Sequence, residues 1–113
     1  KRNLTGLHKI SQGRKLNFTV KLDYDSLKRP IFVRSRQKGD VIYPIGMSGA
    51  KKVKDIFIDE KVPRLYRNKV PVFTCGSQVF WIAGYRIGEK FKIKPETKRI
   101  LEINVSFNTP ERL

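Results

Sequence analysis

The sequence predicts an α+β fold, a mostly antiparallel sheet system with two adjacent helices in the middle of the chain. Three observations carry this. Apolar residues alternate with period two over 16–22 and again over 100–107. Two runs of β-formers, 72–75 and 78–84, are separated only by Gly76-Ser77. Between the ends of the chain, Val53, Ile56 and Phe57 fall at i, i+3 and i+4 ahead of Pro63, one apolar stripe of a helix. With 113 residues, 39% of them apolar, the chain is long enough for one domain with its own core and no metal or disulfide staple.

The elements follow in order. Residues 1–15 hold five basic residues and no acid, interrupted by Gly6, Ser11 and Gly13, which predicts a linker or a loosely paired edge. The domain proper then runs over 16–107, and 108–113 is a tail. In the first strand Leu16, Phe18, Val20 and Leu22 point one way and Asn17, Thr19 and Lys21 the other. A polar loop over 23–30 ends at Pro30. A second strand is expected over 31–36, with Ile31, Val33 and Ser35 on one face and Phe32, Arg34 and Arg36 on the other; Phe32 is expected in the core. Gly39-Asp40 signals a turn, 41–43 a brief return to strand, and Pro44, Gly46 and Gly49 a loop.

Ser48 is a suitable N-cap, so a helix is expected from Ser48 or Gly49 to about Lys61. Val62, preceding Pro63, is biased out of helical geometry. Pro63 can open a second short helix that runs through Asn68. The Gly76-Ser77 step makes a hairpin of 72–75 and 78–84. Its second strand is apolar on both faces and so is central. A basic connection over 85–98 leads to the last strand, with Leu101, Ile103, Val105 and Phe107 inward.

Charge is the outlier. Twenty-five Lys and Arg face ten Asp and Glu, a net +15. That balance speaks of partners rather than fold, and nucleic acid leads, ahead of an anionic membrane or an acidic protein. No apolar run approaches a transmembrane span and no secretory signal leads the chain, so a membrane partner is not expected. Cys75 stands alone, which leaves no disulfide or cysteine metal cluster and fits a reducing, cytoplasmic setting. The only Met is Met47, and the chain reads as a piece of a longer polypeptide.

No Cys-His or Ser-His-Asp arrangement suggests catalysis. The sole histidine, His8, falls in the expected linker. Gly46 to Lys52 lacks the glycine spacing and the hydroxyl residue of a phosphate-binding loop. The candidate residues are cations. Arg34 and Arg36 lie two apart on one strand face, with no acid between Asp25 and Asp40 to neutralise them. Lys51, Lys52 and Lys54 are expected in the first turn of the helix, where they oppose the macrodipole unless an anion docks there. Arg64 and Arg67 on the second helix could extend the surface. Asp40 and Asp55 are expected to orient these cations by ion pairing.

Taken together, Arg34-x-Arg36-x-x-Gly39-Asp40, Pro44-x-Gly46-x-x-Gly49-x-Lys51-Lys52-Val53-Lys54-Asp55-x-Phe57, Lys61-Val62-Pro63-Arg64-x-x-Arg67, Pro71-Val72 and Trp81-Ile82-Ala83-Gly84-x-Arg86 resemble the C-terminal domain of bacterial tRNA(Ile)-lysidine synthase. The resemblance covers about residues 31–86. It implies a fold related to a module of the phenylalanyl-tRNA synthetase β-subunit. It also implies a parent ligase that uses ATP to join lysine to the wobble cytidine of an isoleucine tRNA. That chemistry belongs to an N-terminal catalytic domain with a Ser-Gly-Gly-x-Asp-Ser loop, and no such loop occurs in these residues. The piece alone is therefore expected to be inactive and to hold no cofactor. Its implied role is binding of the tRNA acceptor stem, with Arg34, Arg36, Lys51, Lys52, Lys54, Arg64 and Arg67 as backbone contacts. Its implied partners are that tRNA and the N-terminal catalytic domain. A structural RNA-binding module and a protein-docking module are the alternatives.

Overall fold

The computed structural model of the chain describes residues 15–108. The period-two segments near its ends form a single antiparallel ribbon. Strand β1 (Lys15–Asp23) pairs with β8 (Ile100–Asn108) along its whole length, from Lys15 opposite Asn108 to Asp23 opposite Ile100. Lys15 and Asn108 thus belong to the ribbon; the rest of the expected linker, with His8, and of the expected tail lies outside the described residues. The polar link after β1 carries a short 3-10 turn, Tyr24–Ser26, where the Asp23 carboxylate accepts from the Asp25 N–H.

A four-stranded antiparallel sheet forms the centre, in the order β2 (Ile31–Arg34), β5 (Val72–Cys75), β6 (Gln78–Ile82), β7 (Arg86–Ile87). As the sequence predicts, β5 and β6 are a hairpin through Gly76-Ser77 and β6 is an interior strand; β5 is interior as well. A short pair, β3 (Val41–Ile42) with β4 (Lys51–Lys52), stands beside it. Helices α1 (Val53–Asp59) and α2 (Arg64–Arg67) follow in succession, which agrees with the expected pair.

Two apolar clusters make up the interior. In one, Ile42, Ile56, Phe57, Tyr66, Val72 and Ile82 join the helices to the sheet. In the other, Val20, Leu22, Phe73, Phe80, Trp81 and Phe91 join the ribbon to it, and Cys75 is buried there as a small apolar residue. The clusters meet at Phe107, whose ring stacks on Tyr66 at 6.1 Å and tilts against Phe18 at 5.8 Å. Gly84 makes the close approach possible. It has φ +87, and a Cβ there would stand 2.8 Å from the Phe18 ring, so only glycine fits without displacing the ribbon.

Three expectations need correction. The first helix begins at Val53, not at Ser48 or Gly49, because Lys51 and Lys52 are held in the β3–β4 ladder. Pairing fixes their backbone as extended, and the Val53 N–H donates to the Asp40 carbonyl at 3.0 Å instead of to a capping serine. The second strand ends at Arg34 instead of Arg36, since the chain turns there to bring Asp40 back against it. Phe32 is 56% exposed and not a core residue. Among the described residues strand β2 is the sheet edge, paired with β5 alone, and no element there covers that ring.

Candidate nucleic-acid interface

Asp40 organises the site. The Arg34 guanidinium donates to both of its oxygens, Nη1 to Oδ2 at 2.9 Å and Nη2 to Oδ1 at 3.0 Å. The Gln37 N–H donates to Oδ2 at 2.7 Å, and Gly39, at φ +89, gives the turn the left-handed residue it needs. Through its own backbone carbonyl Asp40 also receives the first N–H of α1. One residue therefore ties the end of β2, the turn and the start of α1 together, the first two through its carboxylate and the last through its backbone carbonyl. Burial raises the Asp40 pKa, but the Arg34 hydrogen bond, the Gln37 N–H and the charges of Arg34 and Arg36 outweigh it, and the carboxyl lies below its usual value. Arg34 is raised in turn, chiefly by its hydrogen bond to Asp40. Asp40 thus pairs with a cation as expected, and its partner is Arg34: the lack of an acid between Asp25 and Asp40 does not leave Arg34 unneutralised, because the turn folds Asp40 back onto it.

Beside this knot is a pocket of about 500 Å³ lined by Arg36, Gln37, Lys38, Gly39, Asp40, Lys52, Lys54 and Asn68. Its four cations come from three elements: the turn after β2, the end of β4 and the first turn of α1. None of the four is within salt-bridge distance of a carboxylate among the described residues. The Arg36 Nε is buried and has no hydrogen-bond acceptor there. A buried charged donor without a partner is costly, and an anionic oxygen in the pocket would satisfy it.

Of the seven candidate contacts, the pocket brings Arg36, Lys52 and Lys54 together. Arg34 stands behind them, engaged by Asp40. Lys51 points elsewhere, to the Asp59 carboxylate. Arg64 is exposed on α2, and Arg67 donates from Nε to the Val62 carbonyl at 2.9 Å; neither lines the pocket, though Asn68, directly after α2, does. The docking of an anion at the start of a helix that contains Lys51 and Lys52 needs the same correction as the helix itself, since both lysines are extended and α1 has only seven residues. Asp55 makes no ion pair among the described residues. Sequence reasoning missed Lys38 and Asn68. Lys38 continues the alternation of Arg34 and Arg36, a signal that was available; Asn68 is brought in only by the packing of α2.

Within the described residues no group of His, Cys, Asp and Glu could hold a metal ion, and no helix is long and apolar enough to cross a membrane.

Comparison with known proteins bears on this surface. The family model described as the TilS substrate C-terminal domain matches residues 31–105. A tRNA(Ile)-lysidine synthase of Caldanaerobacter subterraneus subsp. tengcongensis is 47% identical over 81 residues, 72% of this chain and 17% of the relative. One from Clostridium tetani is 41% identical over 99 residues, 88% of this chain and 21% of the relative. The chain thus spans about a fifth of the length of these curated relatives. Among solved structures, a TILS C-terminal domain superposes with TM-score 0.66 at 23% identity, covering 94% of this chain and 77% of the other. An N-terminal fragment of the phenylalanyl-tRNA synthetase β-subunit from Pyrococcus horikoshii gives TM-score 0.66 at 16% identity, covering 88% and 30%. At those identities the two structures speak for the fold, which is the one the sequence predicts.

Proposed function

Because this chain belongs to the TilS C-terminal domain family, the C-terminal part of tRNA(Ile)-lysidine synthases, we propose that it docks the acceptor stem of an isoleucine tRNA. The remainder of such an enzyme would join lysine to the wobble cytidine with ATP. The observation that carries this reading is the pocket in which Arg36, Lys38, Lys52 and Lys54 converge without carboxylate partners among the described residues. An RNA duplex offers a protein mainly phosphates, 2′-hydroxyls and shape. A concave site with four cations suits the phosphates. Guanidinium at Arg36 can take two oxygens of one phosphate, while the lysines act as point charges on its neighbours.

The role in the reaction is positional. Binding energy gathered at a remote stem holds the substrate in one orientation, which lowers the entropic cost of the chemistry elsewhere. The reading assigns no residue of this chain a chemical step, and the Ser-Gly-Gly-x-Asp-Ser loop does not occur in its sequence. Cytoplasmic location follows the same reading, since tRNA modification happens where tRNA is.

The test is a titration of the chain with isoleucine tRNA at several salt concentrations. If about five phosphates are neutralised, log affinity falls against log salt with a slope of about −4. A flat response removes the proposal. Binding of unrelated structured RNA at equal affinity and equal slope would favour a general RNA-binding module instead.

A further inference from the structure

Strand β2 presents an apolar edge that nothing among the described residues covers. It pairs with β5 on one side only, and Ile31, Phe32 and Val33 are 38, 56 and 58% exposed. Bare strand edges are normally blunted by charges placed on them. Here the charges are at the two ends instead. Beyond the C-terminal end is the pocket of Arg36, Lys38, Lys52 and Lys54. Before the N-terminal end are Lys28 and Arg29, neither of which has a carboxylate partner among the described residues. The Arg29 guanidinium is held over the Tyr24 ring, 5.7 Å from its centroid, and donates to the Tyr24 hydroxyl. Phe32 shares its strand face with Arg34, about 7 Å along the chain. Arg34 is fixed in turn by Asp40 at the pocket rim.

We propose that Phe32 is a stacking platform for an unpaired nucleobase of the docked RNA, with the cations beyond either end of β2 holding phosphates on both sides of it. The inference rests on the reading of the domain as a tRNA-docking module and deepens it: the contact includes the unpaired 3′ end next to the acceptor stem, not the stem alone. A paired stem hides the faces of its bases, whereas a single strand offers them to an aromatic ring whatever its sequence. Charge selects RNA over a second copy of this chain. A second copy of this chain, itself at +15, would set like charges against each other at both ends of β2.

The test uses the 113-residue chain, an isoleucine tRNA, and the same tRNA trimmed of its unpaired 3′ nucleotides. Phe32→Ala should weaken binding of the intact tRNA by about tenfold, leave the trimmed tRNA unaffected, and preserve the salt slope, because no phosphate contact is lost. Phe32→Trp should keep the affinity, and the added indole emission, over that of buried Trp81, should be quenched by intact tRNA alone. The exposed position of Phe32 makes both variants compatible with folding, which thermal melting verifies. The inference is overturned if Phe32→Ala leaves intact tRNA binding unchanged or weakens both RNAs alike. It is equally overturned if sedimentation shows copies of the chain associating through Phe32. In those cases salt-dependent tRNA binding by the unsubstituted chain leaves the docking reading standing. Absence of any tRNA binding removes both.

Discussion

The cations in two regions of this domain are treated differently. Around β7 and the ribbon end four of them are matched: Arg86 with Glu60 at 2.6 Å, Lys92 with Glu89 at 2.5 Å, Lys94 with Asp23 at 3.8 Å, and Arg99 with Asp25. The Lys92 hydrogen bond holds the Glu89 carboxyl below its usual value, helped by the Gly46 N–H and by the charges of Lys92 and Lys94, against a smaller effect of desolvation. Around the pocket, Arg36, Lys38, Lys52 and Lys54 have no such partners among the described residues, and the one carboxylate that lines it there is engaged by Arg34. The difference shows where the acids of a strongly basic chain are placed. They fix segments of the fold to one another and leave one concave surface cationic. A chain tuned for stability alone would spread them more evenly, because unrelieved like charges at close range oppose folding.

The strongest way to break this comparison is to reverse charge on each side. If the proposed docking holds, Lys52→Glu with Lys54→Glu removes two phosphate contacts, so tRNA affinity should fall by about 50-fold at 0.1 M salt, and the salt slope should become shallower by nearly two. Lys92→Glu on the matched side should change affinity by no more than about twofold, a long-range effect that salt screens. Equal losses from the two sides would mean that net charge, not the pocket, governs binding.

Asp40 belongs to both sides of the comparison, since it serves the fold and sits at the pocket. Asp40→Asn removes the charge that Arg34 is paired with and leaves a part-buried guanidinium uncompensated. A loss of about 2 kcal/mol is expected in denaturant unfolding. The pH dependence has a definite sign. Because the folded carboxyl lies below its usual value, the unfolded chain binds more protons between the two values, and stability there rises with pH. The contribution of Asp40 is complete above the usual aspartate range and is lost as pH falls through the lower folded value. Unfolding curves of the parent chain and of Asp40→Asn should therefore converge in acid. A constant gap between them down to strongly acid pH would show that the variant acts through the turn geometry rather than through the ion pair.

Which parts of this were legible beforehand follows from the range of the interactions. The ribbon strands, the Gly76-Ser77 hairpin, the central place of β6 and the helix pair rest on periodicity and turn chemistry within a few residues, and the sequence carries both. The errors arise where a distant segment overrides a local signal. Ser48 is a good cap, but the ladder between Lys51-Lys52 and Val41-Ile42 outweighs it. Phe32 looks like core because it is a phenylalanine in a strand; its exposure depends on β2 being the sheet edge, which is decided by which strand pairs with which. The candidate site was half legible. That cations gather near Arg36 and Lys52 could be read from the motifs, whereas the neutralisation of Arg34 by Asp40, six residues on, needed the turn between them. Asn68 carries no signal in its neighbourhood, and α2 brings it to the pocket.

Lys51 gives the finest test, because it is adjacent to a pocket residue yet treated as a matched cation. Its ammonium is held by Asp59, whose side chain is 52% exposed. A surface pair of this kind contributes little, so Asp59→Ala should alter stability by no more than about 0.5 kcal/mol. The same change frees Lys51 beside Lys52 and removes one negative charge from that face. tRNA affinity should rise by about threefold, with a salt slope steeper by less than one. The two readouts separate what the pairing does. A clear loss of stability would make Asp59 part of the fold's fastening, like Asp40. A loss of affinity would mean that Asp59 holds Lys51 ready for the RNA, and Lys51 would then move to the unmatched side of the comparison.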